Sequence, residues 1–177
     1  MSTPKEHKIA LLGLGYVGLP LAVAFAEHYD VLGFDTNAEK AHRIASGIDP
    51  TNELEGDQLS HALTTRLRVS SNSTDLSACN TFIITVPTDI NPDKSPNLDP
   101  LIQASRTIGQ HLHPGDLVIY ESTTYPGCTE EVCVPILEQT SGLTYNQDFT
   151  VGYSPERINP GDKQRNVTNI LKVTSGS

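Results

Sequence analysis

Basic residues are scarce in this 177-residue sequence, with 12 Lys and Arg against 21 Asp and Glu and a formal net charge of −9. None lies between Arg106 and Arg157. A nucleic-acid groove is built from clustered Lys and Arg, so binding of DNA or RNA is excluded as a main role. A polybasic patch for an anionic membrane surface is excluded on the same ground. Long hydrophobic runs are missing too. The most apolar stretch, residues 9–26, is interrupted by Gly13, Gly15, Gly18 and Pro20, so it reads as strand, turn and helix and not as a membrane span. The first residues lack the apolar core and small-residue cleavage site of a secretory leader. Three cysteines, Cys79, Cys128 and Cys133, cannot all pair with one another. Free thiols and no secretion signal point to a reducing compartment, and the expected location is the cytoplasm. No internal repeat or low-complexity tract stands out.

What is present fits a globular domain. A chain of this length buries roughly 70% of its unfolded surface, enough for a real core. Short apolar runs alternate with helical stretches. Strands are predicted at residues 8–12, 31–35, 66–70, 81–86, 117–121, 149–153 and 170–174. Helices are predicted at 17–28, 38–46, 98–112 and 129–139, the last bent or shortened by Pro135. Strands apolar on both faces and separated by helices give an α/β fold, a doubly wound parallel sheet of Rossmann type with helices on both faces.

The sharpest motif is the turn Gly13-Leu14-Gly15-Tyr16-Val17-Gly18, which follows the first strand and opens the first helix. Asp35 stands 20 positions after Gly15 at the end of the second strand. This is the dinucleotide fingerprint in its required context. Gly13 permits the tight turn, Gly15 lets the backbone approach a diphosphate, and Gly18 lets the helix pack on the sheet. The helix N-terminus then receives the diphosphate. Asp35 would accept hydrogen bonds from the adenosine ribose and repel a 2′-phosphate, so the expected cofactor is NAD and not NADP. The alternative is a glycine turn that only packs strand against helix.

Other polar clusters fall at the carboxyl ends of predicted strands, where a doubly wound sheet binds its ligand. They are Val86-Pro87-Thr88, Glu121-Ser122-Thr123-Thr124 and Ser154-Pro155-Glu156-Arg157. Thr123 and Glu156 are the chemical candidates. A threonine hydroxyl can hold a water or a substrate hydroxyl, and a glutamate can accept a proton or orient that water.

These motifs, in this order, together with Tyr153-Ser154-Pro155-Glu156-Arg157-Ile158-Asn159-Pro160-Gly161-Asp162, resemble the UDP-glucose/GDP-mannose dehydrogenase family. The last segment points to the branch of UDP-N-acetylhexosamine 6-dehydrogenases of bacterial surface-polysaccharide synthesis. The resemblance implies oxidation of the C6 alcohol of a nucleotide sugar to a carboxylate with two NAD⁺, through a cysteine thiolate that holds the intermediate. It implies that Leu14, Tyr16, Val17, Thr36 and Lys40 lie with the glycines and Asp35 at NAD. Val86, Pro87, Thr88, Ser122 and Thr123 would line the nicotinamide side. Thr123 and Glu156 would be catalytic, and Glu156, Arg157 and Asn159 would touch a UDP-N-acetylhexosamine substrate. No metal is implied, and the full-length enzyme would be a homo-oligomer.

The catalytic cysteine of the family lies in a glycine-rich motif of a later domain, and none of Cys79, Cys128 and Cys133 has that context. Cys128 comes nearest to the rim and reads as a structural thiol. Residues 1–177 are therefore expected to form the NAD-binding domain of a longer dehydrogenase whose central helix and UDP-binding domain are not in this sequence. Two other readings stay open at this level: a free-standing NAD-binding sensor or docking module, and another NAD-dependent hydroxyacid-type dehydrogenase.

Overall fold

Each short apolar run becomes a strand of one sheet. The computed structural model describes residues 6–156 and 171–177. Strands β1 (Lys8–Leu12), β2 (Asp30–Phe34), β3 (Leu67–Ser70), β4 (Thr81–Ile84), β5 (Asp116–Tyr120) and β6 (Phe149–Tyr153) run parallel. A short β7 (Ser175–Gly176) closes the edge antiparallel to β6. The order is β3-β2-β1-β4-β5-β6-β7, the doubly wound arrangement expected from the sequence.

Both faces of this sheet are covered, and the alternation along β1 shows how. Ala10 and Leu12 enter one apolar cluster, while Ile9 and Leu11 enter the other. Along β4, Phe82 and Ile84 point into the first and Ile83 into the second. The first cluster is completed by α4 (Asp99–Gly109) and α5 (Val134–Ser141), through Leu101, Ile108 and Leu137. The second is completed by α1 (Gly18–Ala26) and α3 (Gln58–Thr65), through Leu19, Ala22, Leu59 and Ala62. Helix α2 (Ala38–Ala45) starts at Asn37, whose side chain accepts from the Lys40 N–H at 3.0 Å.

Four elements differ from the sequence expectation. Helix α3 and the 3₁₀ turn Ser73–Ala78 were not predicted, although Leu59, Ala62 and Leu63 carry the i, i+3, i+4 spacing of a helix face. The helix expected at 129–139 is a wide π-type turn, Thr129–Cys133, followed by α5. Pro135 sits in the first turn of α5, where its missing N–H costs little, and the looser turn before it absorbs the mismatch. The last strand was expected at 170–174. Ile170 lies outside the described residues, and Leu171–Thr174 are not strand. Leu171 is 83% exposed, and the ladder is made instead by Ser175 and Gly176 opposite Tyr153 and Gly152. Apolar composition misled here, because two facing glycines allow the close pairing. No helix among the described residues is long and apolar enough to cross a membrane.

All three cysteines are free and buried in the core. Burial pushes the Cys79 thiol up to about 11 and the Cys133 thiol up to about 12. Folded chain should therefore react with a disulfide reagent at pH 8 far more slowly than urea-unfolded chain. The sign of the accompanying pH effect follows from the same values. These thiols lose protons near their ordinary 9.0 when unfolded and near 11 to 12 when folded, so their stabilisation is complete below pH 9 and is lost between pH 9 and 12. Urea midpoints that fall over this range, and fall less in a Cys79→Ala, Cys133→Ala chain, would show it. An equal fall in the two chains would refute it.

Candidate functional site: a dinucleotide cleft at the switch point

The sheet order reverses between β1 and β4, and the chain ends leaving these two strands diverge. A cavity of about 780 Å³ opens there. Its floor is the glycine turn. Gly13 adopts φ +96°, and a Cβ there would stand 3.1 Å from the Thr85 carbonyl. At Gly15 an added Cβ meets nothing within 4 Å, because it would project into the cleft. Gly18 is the opposite case. Its Cβ would collide with the Gly13 carbonyl oxygen and the Thr85 hydroxyl. The α1 N-terminus has no side-chain cap, and the Leu19 N–H bonds the Gly15 carbonyl at 3.0 Å. The first turn of α1 thus carries no side-chain cap that would compete with an anionic ligand. These features fit the diphosphate of a dinucleotide.

Asp35 follows β2 and is 6% exposed. Its two oxygens accept from the Leu14 N–H at 2.9 Å and the Asn37 N–H at 2.9 Å, and it forms an ion pair with Lys40. Thr36 and Lys40 lie beside it in the cavity wall, with Tyr16 and Val17 across the floor. Leu14 departs from its expected place. Its side chain is fully buried over Gly33 and its N–H is taken by Asp35, so it builds the turn without facing the cavity.

The second half of the wall holds Val86, Pro87, Thr88, Ser122 and Thr123. Ser122 Oγ donates to the Val86 carbonyl at 2.6 Å, which clamps the two strand ends together. Glu156 does not line the cavity. It connects to it through Lys172, whose ammonium lies 3.9 Å from Glu156 and bonds Glu121, a lining residue. Arg157 and Asn159 lie outside the described residues.

Sequence reasoning passed over several residues here. Thr85 Oγ1 donates to the Gly13 carbonyl at 2.7 Å and ties β4 to the glycine turn. Pro100, Gln103, Ala104 and Thr107 form the far wall. Their i, i+3, i+4, i+7 spacing puts them on one face of α4, and that spacing was available in the sequence. Glu121 is 7% exposed, and burial holds its carboxyl above the usual range despite Lys172.

A profile of the UDP-glucose/GDP-mannose dehydrogenase family, NAD binding domain, matches residues 7–177. The chain belongs to this family. Its cofactor is NAD, in agreement with Asp35 at the end of β2. The UDP-N-acetyl-D-glucosamine 6-dehydrogenase of Salmonella typhi is 56% identical over 97% of this chain. The enzyme of the same name from Pseudomonas aeruginosa is 55% identical over 98%. This family member spans about 40% of the length of those relatives. Among solved structures, a UDP-D-ManNAc dehydrogenase from Pyrococcus horikoshii superposes with a TM-score of 0.86 at 38% identity. That match covers 96% of this chain and 41% of the other.

Proposed function

We propose that this chain is the NAD-binding portion of a nucleotide-sugar 6-dehydrogenase. The whole enzyme would oxidise the C6 alcohol of a UDP-N-acetylhexosamine to the uronic acid with two NAD⁺. The observation that carries the reading is the uncapped N-terminus of α1 over the open Gly15 position, facing Asp35 across one cavity. The names of the two bacterial relatives support the substrate class. Bound NAD⁺ supplies the hydride acceptor.

The chain's own residues then have distinct tasks. The N-terminus of α1 holds the diphosphate, and Asp35 orients the adenosine ribose. Thr123, exposed at the nicotinamide end, holds a water or the substrate hydroxyl. Glu156 accepts a proton or orients that water, and Arg157 and Asn159 reach for the sugar nucleotide. The three buried thiols are unsuited to covalent catalysis, so the nucleophile comes from outside residues 1–177. Free thiols also fit a cytoplasmic location.

Calorimetric titration tests the cofactor half, with heat expected for NAD⁺ and much less for NADP⁺. For the reaction, the chain is mixed with the separately produced C-terminal portion of the Salmonella relative. NADH should then form from UDP-N-acetyl-D-glucosamine, and from neither part alone. No NADH from a mixture that binds both NAD⁺ and the sugar nucleotide would refute the dehydrogenase assignment.

A further inference from the structure

Strands β5 and β6 are parallel neighbours with Tyr120 opposite Tyr153, and the Ser154 N–H bonds the Tyr120 carbonyl at 2.9 Å. The residues that follow therefore leave the sheet at the same end. Two of them are glutamates, and both are withdrawn from water. Glu121 is 7% exposed, and the side chain of Glu156 is 8% exposed. Two carboxylates buried side by side cannot both stay ionised without a compensating charge, because desolvation and mutual repulsion each favour a proton on one of them.

One such charge comes from a distant part of the chain. Lys172 lies in the segment that returns to pair as β7 on β6. Its ammonium donates to Glu121 Oε2 and lies 3.9 Å from Glu156 Oε2. Its side chain is 21% exposed, so the charge is partly shielded from solvent. Glu121 in turn lines the cofactor cavity next to Ser122 and Thr123.

We propose that Lys172 is a positioning residue: anchored by Glu121, its ammonium lets Glu121 and Glu156 coexist as carboxylates and holds Glu156 beside the nicotinamide end of the cleft as an acceptor. Docking of the closing segment on β6 and readiness of Glu156 are then one event. The acid strength of Glu121 is consistent with this. Burial raises Glu121 and the nearby Glu156 adds to that, while the Lys172 bond and charge oppose both. The importance of Glu156 rests on the dehydrogenase reading above, but the charge arrangement does not.

The test is a carbon-13 NMR titration of the glutamate carboxyls in the whole 177-residue chain, with the two signals assigned from Glu121→Gln and Glu156→Gln. In Lys172→Met, one carboxyl of the pair should keep its proton to a pH about one unit higher than in the parent, in line with the effect of an opposite charge within about 4–6 Å. Lys172→Arg should restore the parent curve. A curve in Lys172→Met that matches the parent overturns the inference. Should that variant not fold, the parent chain provides a second reading. The Lys172 ammonium nitrogen signal should move as the pair titrates, and its failure to respond overturns the inference as well. NAD⁺ titrations on the same samples separate the two claims. An unmoved curve in chains that bind NAD⁺ sinks this inference alone, whereas the expected shift in a chain that does not bind NAD⁺ sinks the cofactor reading and leaves the charge arrangement standing.

Discussion

Replacing Gly18 by alanine should abolish detectable NAD⁺ binding and destabilise the chain by about 3 kcal/mol, the upper range for overpacking. A methyl group at this position has nowhere to go. It meets the Gly13 carbonyl and the Thr85 hydroxyl at less than contact distance. The carbonyl is backbone and cannot swing away. Gly13 cannot retreat either, since it is already at φ +96° with the Thr85 carbonyl close behind it. The collision is relieved only if α1 lifts from β1 and β4, which strips Leu19 and Ala22 from their cluster. It also withdraws the helix N-terminus from the diphosphate. A loss of at least a hundredfold in affinity corresponds to about 2.7 kcal/mol. Gly15→Ala is the informative contrast. Its methyl meets nothing in the protein, so stability should stay within about 0.5 kcal/mol. That methyl projects where the diphosphate would lie, so binding should still weaken. Urea unfolding and calorimetry on both variants separate the effects. Gly18→Ala with parental stability and affinity would show that the glycine turn does not have the packing role described.

The parts of this fold that were legible in the sequence are those governed by local chemistry. The glycine turn, the strand before it, the helix after it and Asp35 each carry a residue whose type is dictated by its backbone or its partner. The sheet core was legible because β1 and β4 are apolar on both faces, a pattern that only a doubly covered sheet explains. What escaped depends on long-range neighbours. Helix α3 carries the apolar spacing of Leu59, Ala62 and Leu63, but it is short, and its contact with α1 is a tertiary fact. The far wall of the cavity uses a helix that was expected, but a cavity-facing side emerges only when α4 is set against the β1 and β4 ends. The ion pair between Glu121 and Lys172 joins residues 51 positions apart, brought together by a two-residue strand. No local pattern announces such a contact. Glu156 shows the same limit from the other side. Its motif was readable, but its separation from the main cavity wall and its link through Lys172 are tertiary facts.

Asp35→Ala should weaken NAD⁺ binding at least tenfold and raise the ratio of NADP⁺ to NAD⁺ affinity by a comparable factor, about 1.4 kcal/mol in each case. The carboxylate does two jobs that the substitution removes together. As a scaffold, it satisfies the Leu14 N–H of the glycine turn and the Asn37 N–H that leads into α2. Leaving the buried Leu14 donor without an acceptor costs about 1–3 kcal/mol. As the selectivity element proposed here, it would place negative charge where an adenosine 2′-phosphate would have to sit. Lys40 complicates this second job, because its ammonium already neutralises part of that charge. With Asp35 gone, Lys40 becomes an unpaired cation in the same wall and should attract a 2′-phosphate. The double variant Asp35→Ala, Lys40→Ala distinguishes repulsion from attraction. If Asp35 acts by repelling phosphate, the double variant should keep the relaxed ratio. If the gain comes from the freed Lys40, the ratio should fall back towards the parent while NAD⁺ affinity stays low. Asp35→Asn isolates the scaffold role. One amide oxygen can still accept a single N–H, but the amide nitrogen faces the other donor or the Lys40 ammonium. Its stability should therefore fall between parent and Asp35→Ala. A ratio that does not change in any of these variants would mean that NAD selectivity is not set at the end of β2.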